Sequence, residues 1–360
     1  MNFLRNILTL TPIGLNWEID IKAAVLTNLN SPLEICEVEL SKLKAGQVLV
    51  RVMVSGICGS QLHEIRGHKG NQDFLPHLLG HEGCGIVEDI GPDVTHVKIG
   101  DKVVMHWRKG EGIEAEFPTY YLNGAPFSSG KVTTLSEFAI VSENRLTSVP
   151  KDTDPEIAAL MGCSLTTSLG ILENELQVNP EDKIAVIGCG GIGLSLILGL
   201  KLKGHLKIHG VDLNSDKEAL VVAVGANYFS SHIDLFRNKF NIIIDTTGNP
   251  ESIKSAFNFL DSSGTLILVG QFKPTDSIVL ENANTFFEGT GKTIKATQGG
   301  KTAPQIDIPR YLQMNPDHLI HFKSLITHRL PLEEINHAIS MLKLGTAGRI
   351  MIQMESLTKT

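Results

Sequence analysis

The 360-residue chain contains no CxxC pair, no long basic run, no low-complexity tract and no internal repeat. Each absence excludes something. Five cysteines, Cys36, Cys58, Cys84, Cys163 and Cys189, are odd in number and widely spaced. That pattern builds no disulfide framework and points to a reducing, cytoplasmic setting. A net charge of −7 without clustered lysine or arginine argues against a nucleic-acid partner. No apolar run approaches the roughly 20 residues that a membrane-spanning helix needs, so no membrane partner is expected. The opening MNFLRNILTLTPIGLNWEID has its apolar stretch broken by Thr, Pro and Gly and shows no small-residue cleavage pattern. It reads as an extension ahead of the first strand.

What is present is an ordinary globular composition, 42% hydrophobic and 20% charged, in a chain long enough for two cores. From Ile21 to about Val149 short strands alternate with turn residues, at Lys22–Leu26, Gln47–Ser55, Gly85–Ile90, Lys102–His106 and Glu137–Val141. This spacing predicts a barrel-like β unit. A helix is expected over Pro155–Met161. Strands at Lys183–Ile187, Lys207–Val211, Ile242–Asp245 and Thr265–Val269 then alternate with helices at Ile192–Lys203, Lys217–Val224 and Glu251–Leu260. That rhythm predicts an α/β unit with a doubly wound parallel sheet. The end of the chain, with helix Leu332–Leu344 and strand Arg349–Gln353, reads as a return to the β-rich part.

The clearest motif is IAVIGCGGIG, Ile184–Gly193, in which Gly188, Gly190 and Gly193 make G-x-G-x-x-G between a strand and a helix. Asp212 ends the next strand. In a dinucleotide site the first glycine permits the tight turn, the second admits the pyrophosphate, and the third lets helix and strand pack. The helix N-terminus then favours the phosphates. Asp212 would accept from the adenosine ribose hydroxyls and repel a 2′-phosphate, so NAD is expected over NADP. Cys189, inside the loop, reads as a small tolerated residue.

Three further segments carry metal-type ligands in glycine-flanked loops: GICGSQLH with Cys58, GHEGCG with His81, and GCSLTTSLG with Cys163. GHEGCG alone could be a metal site, a nucleophile with its base, or a tight turn. Two thiolates and an imidazole with an open position suit catalytic zinc rather than magnesium or calcium. By spacing alone, inert buried cysteines remain an equal reading.

Taken with GDKVV at Gly100–Val104, the Gly188–Gly193 loop, Asp212, LITHRLPLEEINHAI and GTAGRIMI, these segments resemble the zinc-dependent alcohol dehydrogenases of the medium-chain dehydrogenase/reductase superfamily. The resemblance runs from Lys22 to Ile352. It implies a GroES-like β-barrel catalytic domain, residues 1–164 and 299–360, around a Rossmann NAD-binding domain, residues 165–298. It implies zinc on Cys58, His81 and Cys163, Glu82 beside the metal as a supporting charge or an alternative ligand, and a proton relay from Ser60 through the nicotinamide ribose to His63. It places Thr167 beside the nicotinamide and Lys217 near the adenosine ribose. Arg349 falls near the phosphates, with Gly191, Ile192 and Val269 among the cofactor contacts. Cys84 falls where a small buried residue opens a strand. The implied reaction is hydride transfer between NAD and a primary or secondary alcohol, giving an aldehyde or ketone, in a homodimer or homotetramer.

Many members carry four clustered cysteines for a second, structural zinc after the Gly-Asp-Lys-Val strand, but His106–Phe138 here has none. One zinc per subunit is therefore expected. The resemblance puts Trp107 and Ser60 at the substrate pocket. Arg108 and Lys109 read as a solvated loop, with an anion contact as the alternative. The missing cysteines and the polar insert tilt the expected substrate toward polyols and sugar-derived alcohols over simple ones. A non-catalytic NAD-binding sensor on the same fold is the competing reading, disfavoured by the complete ligand and relay set.

Overall fold

The computed structural model describes residues 20–70, 74–237 and 239–354. The extension expected before the first strand lies, up to residue 19, outside the described residues.

One strand organises the β-rich unit. Gln47–Ile57 is eleven residues long, and its side chains feed separate cores by alternation: Val48, Val50 and Val52 into one, Leu49 into another. It pairs with Glu82–Ile90 along one edge. Along the other, its first half pairs with Phe138–Ser142 and its last residues with Arg349–Gln353. Lys102–His106 and Leu146–Val149 extend this seven-stranded sheet on one side and Ile326–Pro331 on the other. The C-terminal return expected from the sequence is thus a physical strand pairing. A second, five-stranded sheet runs His77–Leu78, Asp20–Leu26, Glu34–Leu40, Thr119–Leu122, Ala125–Ser128.

The α/β unit is a six-stranded sheet in which every pairing is parallel. Its order is Tyr228–Ser230, Ile208–Val211, Ile184–Ile187, Phe240–Asp245, Leu260–Leu268, Thr293–Ala296. Numbered along the chain this is 3-2-1-4-5-6, the doubly wound arrangement in which ligands bind where the strand order reverses. The four-residue strands IAVI and IHGV are buried throughout, as parallel strands covered on both faces must be.

Helix Gly191–Leu202 is also apolar nearly all round. It is buried because the chain covers it twice, by its own sheet and by helices Ser164–Gly170 and Pro316–Lys323. Leu194, Ile197, Leu160, Leu165 and Ile308 share one core that continues to Cys84 and Val104 of the β unit. That shared core holds the metal-type ligands against the glycine loop.

The expected strand Lys102–His106, helix Pro155–Met161 and strand Arg349–Gln353 are observed with those bounds. Strand Glu34–Leu40 was not anticipated: it lies at a surface, with Glu34, Ile35, Glu37 and Glu39 exposed between buried residues, so its pattern carries little apolar signal. The hairpin Thr119–Leu122/Ala125–Ser128 did carry a signal. Its Asn123-Gly124 turn has φ of 52° and 75°, the left-handed pair that the strand twist favours. Helices Pro304–Leu312 and Pro316–Lys323 were likewise not anticipated, although each opens on a proline at its first turn.

The cysteine-free segment after Lys102–His106 is held by two carboxylates. Glu114 pairs with Lys109 at 3.0 Å, Lys131 at 3.0 Å and Arg145 at 3.2 Å, and accepts from Asn144. Glu143, fully buried, accepts backbone N–H groups of Thr95, His96 and Ile113. Four segments, at Thr95–His96, Lys109–Glu114, Lys131 and Glu143–Arg145, are tied together by two side chains.

Candidate active site

Cys58, His81 and Cys163 come from three different places, 23 and 82 residues apart along the chain. Cys58 caps the short helix Gly59–Ile65, His81 precedes strand Glu82–Ile90, and Cys163 precedes helix Ser164–Gly170. Their ligand atoms lie within 4.8 Å of one another, and Cys58 Sγ is 3.3 Å from His81 Nε2. Two sulfurs and an imidazole nitrogen at this separation fit a zinc ion, with a fourth position left to substrate. The hydrogen bond from the Cys163 thiol holds the Cys58 thiol well below the ordinary range, against burial and aided by His81. Cys163, as the donor in that buried pair, is pushed up. Burial pulls the His81 ring down, but the Cys58 charge and hydrogen bond raise it overall. Cys84 lies in the shared core, and burial pushes its thiol up to about 12.

Glu82 is completely buried against the same three segments. It forms an ion pair with Arg349, itself 2% exposed, and its Oε2 accepts from Ser164 N at 3.3 Å. A Cβ on Gly56 would fall 2.6 Å from the Glu82 carboxylate, and one on Gly162 would fall 2.8 Å from its Cα. Those two glycines leave the room that the carboxylate occupies. A buried charge persists only when paired, and Arg349 is the partner.

Arg349 also reaches the other half of the site. A Cβ on Gly191 would lie 2.6 Å from Arg349 Cδ and Nη1, and Arg349 Nε is buried without a partner. The guanidinium therefore spans from the metal-type cluster to the glycine loop.

In that loop Gly188 has φ of 86° and Gly193 packs with its Cα over Gly188 O, where a Cβ would sit at 2.0 Å. Gly190 faces open space, with nothing within 4 Å of the point where a Cβ would stand. The opening lies at the N-terminus of the twelve-residue helix Gly191–Leu202, where free N–H groups and the helix dipole favour an anion. This cradle fits a pyrophosphate. Asp212 Oδ2 accepts from Cys189 N at 2.8 Å and pairs with Lys217 Nζ at 2.9 Å, while Oδ1 accepts from Asn214 N. Asp212 and Lys217 are thus placed together at the end of Ile208–Val211. Cys189 is buried, and its thiol is pushed up to about 12.

Thr167 lies one helical turn after Cys163 and is buried. Val269 follows strand Leu260–Leu268 and donates to Asp245 O at 2.8 Å; Ile192, in the first turn of its helix, packs against the shared core. The Trp107 side chain lies beside Cys163, lowering its thiol slightly against burial, and Arg108 lies over the Trp107 ring at 5.5 Å. Arg108 also donates to the carbonyl of Gln298, a strap from the β unit to the end of the α/β unit. With Lys109 on Glu114, Arg108 and Lys109 are both engaged by the protein itself.

Ser60 and His63 sit on helix Gly59–Ile65, one turn apart. Ser60 Oγ accepts from Lys69 Nζ and lies 3.4 Å from Glu64 Oε1, which Lys69 also contacts at 2.8 Å. His63 Nδ1 faces His68 Nδ1 at 3.4 Å. Burial, followed by the charges of His68, Lys69 and Arg66, holds the His63 imidazolium below its ordinary range. No hydrogen bond joins Ser60 to His63 among the described residues. Sequence reasoning missed Lys69, His68 and Gln61. Lys69 and His68 carried no signal, because they arrive by a turn after the helix. Gln61 did carry one: it stands three residues after Cys58, the spacing of a capping box.

Two family models match the chain: the alcohol dehydrogenase GroES-like domain over residues 44–151 and the zinc-binding dehydrogenase over residues 191–314. Alcohol dehydrogenase 6 of Peromyscus maniculatus is 30% identical, covering 92% of this chain and 97% of its own length. S-(hydroxymethyl)glutathione dehydrogenase of Paracoccus denitrificans is 28% identical, over 92% and 99%. Among solved structures, benzyl alcohol dehydrogenase of Acinetobacter calcoaceticus superposes with a TM-score of 0.82 at 25% identity, over 94% of this chain and 100% of that one. An alcohol dehydrogenase zinc-binding domain protein from Burkholderia ambifaria gives 0.83 at 24% identity, over 94% and 99%, which speaks for the fold. By its ligand triad, its glycine cradle, its two-unit fold and these relatives, the chain belongs to the zinc-dependent alcohol dehydrogenase family of the medium-chain dehydrogenase/reductase superfamily.

Proposed function

We propose that this chain interconverts primary or secondary alcohols, polyols and sugar-derived alcohols among them, with the corresponding aldehydes or ketones, using one zinc per subunit and NAD. The convergence of Cys58, His81 and Cys163 within 4.8 Å supports this reading most directly. When bound, zinc supplies a Lewis acid to the substrate oxygen and NAD supplies the hydride acceptor.

The residues divide the remaining work. Cys58, His81 and Cys163 hold the metal, and Glu82, tethered by Arg349, supplies a fixed negative charge behind it. Ser60 holds a proton at the substrate oxygen, and His63, kept neutral by burial, takes it toward solvent. Thr167 orients the nicotinamide, Trp107 closes the pocket wall against water, and Gly188, Gly190, Gly191, Ile192 and Gly193 admit the pyrophosphate. Arg349 and Val269 complete the cofactor contacts, and Asp212 with Lys217 meets the adenosine ribose.

The catalytic unit comprises residues 1–164 and 299–360 and the NAD unit residues 165–298. The pairing of Arg349–Gln353 with Gln47–Ile57 and the confinement of the parallel sheet to residues 184–296 support those bounds. No single helix among the described residues is long and apolar enough to cross a membrane. A cytoplasmic homodimer or homotetramer follows from the family pattern. The test is zinc analysis of the purified protein with a screen of alcohols, polyols and sugar derivatives, reading nicotinamide absorbance. One zinc per chain with turnover is expected; no zinc and no turnover on any alcohol would favour an NAD-binding sensor.

A further inference from the structure

Gln61 is an uncharged side chain, fully buried, touching two of the three metal-type ligands. Its Oε1 accepts from the backbone N–H of Cys58 at 2.8 Å, the capping bond that closes the first turn of Gly59–Ile65. Only an oxygen can accept that N–H, so the cap settles the amide's orientation. Its Nε2 then faces His81 Nδ1 at 2.7 Å as a donor. His81 Nδ1 is thereby an acceptor, and the ring proton belongs on Nε2, which points at Cys58 Sγ 3.3 Å away.

A neutral imidazole that binds a metal through Nε2 needs the opposite arrangement. Its proton sits on Nδ1 and is donated to a carboxylate, carbonyl or water, which orients the ring and strengthens the ligand. A carboxylate at position 61 would meet both demands, one oxygen for the Cys58 cap and one for His81 Nδ1–H. An amide has one acceptor atom, and here it is directed at the Cys58 N–H while the amino group faces His81. When His81 turns its Nε2 lone pair to a metal, the Gln61 amide must give up either the Cys58 N–H or the His81 Nδ1–H.

We propose that Gln61 is a positioning residue that keeps this zinc site weakly held and exchangeable, by offering one acceptor atom where the loaded site has donors at two separate places. The inference rests on the zinc-site reading above. Gln61→Glu is nearly isosteric and supplies the second acceptor, so it is expected to tighten zinc binding about 10- to 100-fold, the range over which such outer partners act. The measurement is competition of the holoenzyme against a chromogenic chelator, with circular dichroism to confirm folding. The second readout is ring ¹⁵N NMR of the zinc-free protein, with His81 assigned by substitution: Nε2–H is expected in wild type and Nδ1–H in Gln61→Glu. A folded Gln61→Glu that holds zinc no more tightly than wild type would overturn the inference alone. If that variant does not fold, the wild-type tautomer decides, and Nδ1–H overturns it. Unchanged zinc content in His81→Ala would sink the zinc-site reading, and this inference with it.

Discussion

A single methyl group at Gly190 should separate the glycine loop's service to the cofactor from its service to the fold. Gly190 is the N-cap of helix Gly191–Leu202, with φ of −84° and ψ of −164°, a conformation that alanine adopts freely. Nothing lies within 4 Å of the added Cβ. Exchanging glycine for alanine at an N-cap costs about 0.5–1 kcal/mol. Restricting the unfolded chain returns about 0.4–1 kcal/mol. The two offset, so Gly190→Ala should melt close to wild type. The methyl group would project into the space assigned to the pyrophosphate, and overpacking of that kind costs about 1–3 kcal/mol. At about 1.4 kcal/mol per decade this is roughly a 5- to 150-fold rise in the Kd for NAD, measured by calorimetry or by quenching of NADH fluorescence. Gly193→Ala provides the contrast. Its Cβ would meet Gly188 O at 2.0 Å and Gly188 C at 3.0 Å, backbone atoms that cannot rotate aside. That variant should lose about 3 kcal/mol and several degrees of Tm, with or without cofactor. An NAD Kd for Gly190→Ala within about twofold of wild type, at unchanged Tm, would refute the assignment of this loop to the pyrophosphate.

Other perturbations report on other parts of the site. Cys163→Ser should abolish zinc content and turnover while NAD affinity stays near wild type; full turnover in the purified variant would contradict the ligand assignment. Asp212→Gly should weaken NAD and admit NADP, because the carboxylate that would repel a 2′-phosphate is gone and Lys217 Nζ, 2.9 Å away, loses its partner; unchanged cofactor preference counts against the role. Glu114→Gln should test what holds the cysteine-free insert. The hydrogen bonds from Lys131 and then Lys109 hold Glu114 down to about 2, below an ordinary glutamate near about 4.3. Its stabilising effect is therefore present above about pH 4.3 and lost as pH falls toward about 2. Because Glu114 is partly solvated, the gap between variant and wild type at neutral pH should be about 1 kcal/mol, closing on acidification. Melting curves across that range check it, and a gap independent of pH would remove the charge argument.

Much of this was legible without coordinates because it obeys local rules. Strand IAVI, its glycine loop and the helix behind it are set by β-branched periodicity, by a turn that requires positive φ at Gly188, and by close packing at Gly193. Lys102–His106 and Pro155–Met161 were equally plain, one as a short β-branched apolar run and the other as a helix with Asp154 capping it and proline in its first turn. Glu34–Leu40 was opaque because an exposed, half-charged strand leaves almost no apolar pattern.

Which residues meet was decided by tertiary structure. Spacing alone does not rank the five cysteines; the family resemblance names Cys58 and Cys163 with His81, and the fold brings those three within reach of one another. The packing of Pro155–Met161 against Glu82–Ile90 brings Cys163 to Cys58 and His81, and sends Cys84 into the core instead. Likewise no spacing rule links Arg349 to Glu82, 267 positions apart, or Arg108 to the carbonyl of Gln298. The sequence by itself determined the local backbone and the supply of ligand types, because those depend on neighbours within a turn or a strand. The fold alone decided that Arg349 is the buried partner of Glu82 and that the Gln61 amide meets His81, and it closed up the metal ligands that the resemblance had named, because burying apolar surface is what forces such distant polar groups to share one dry site.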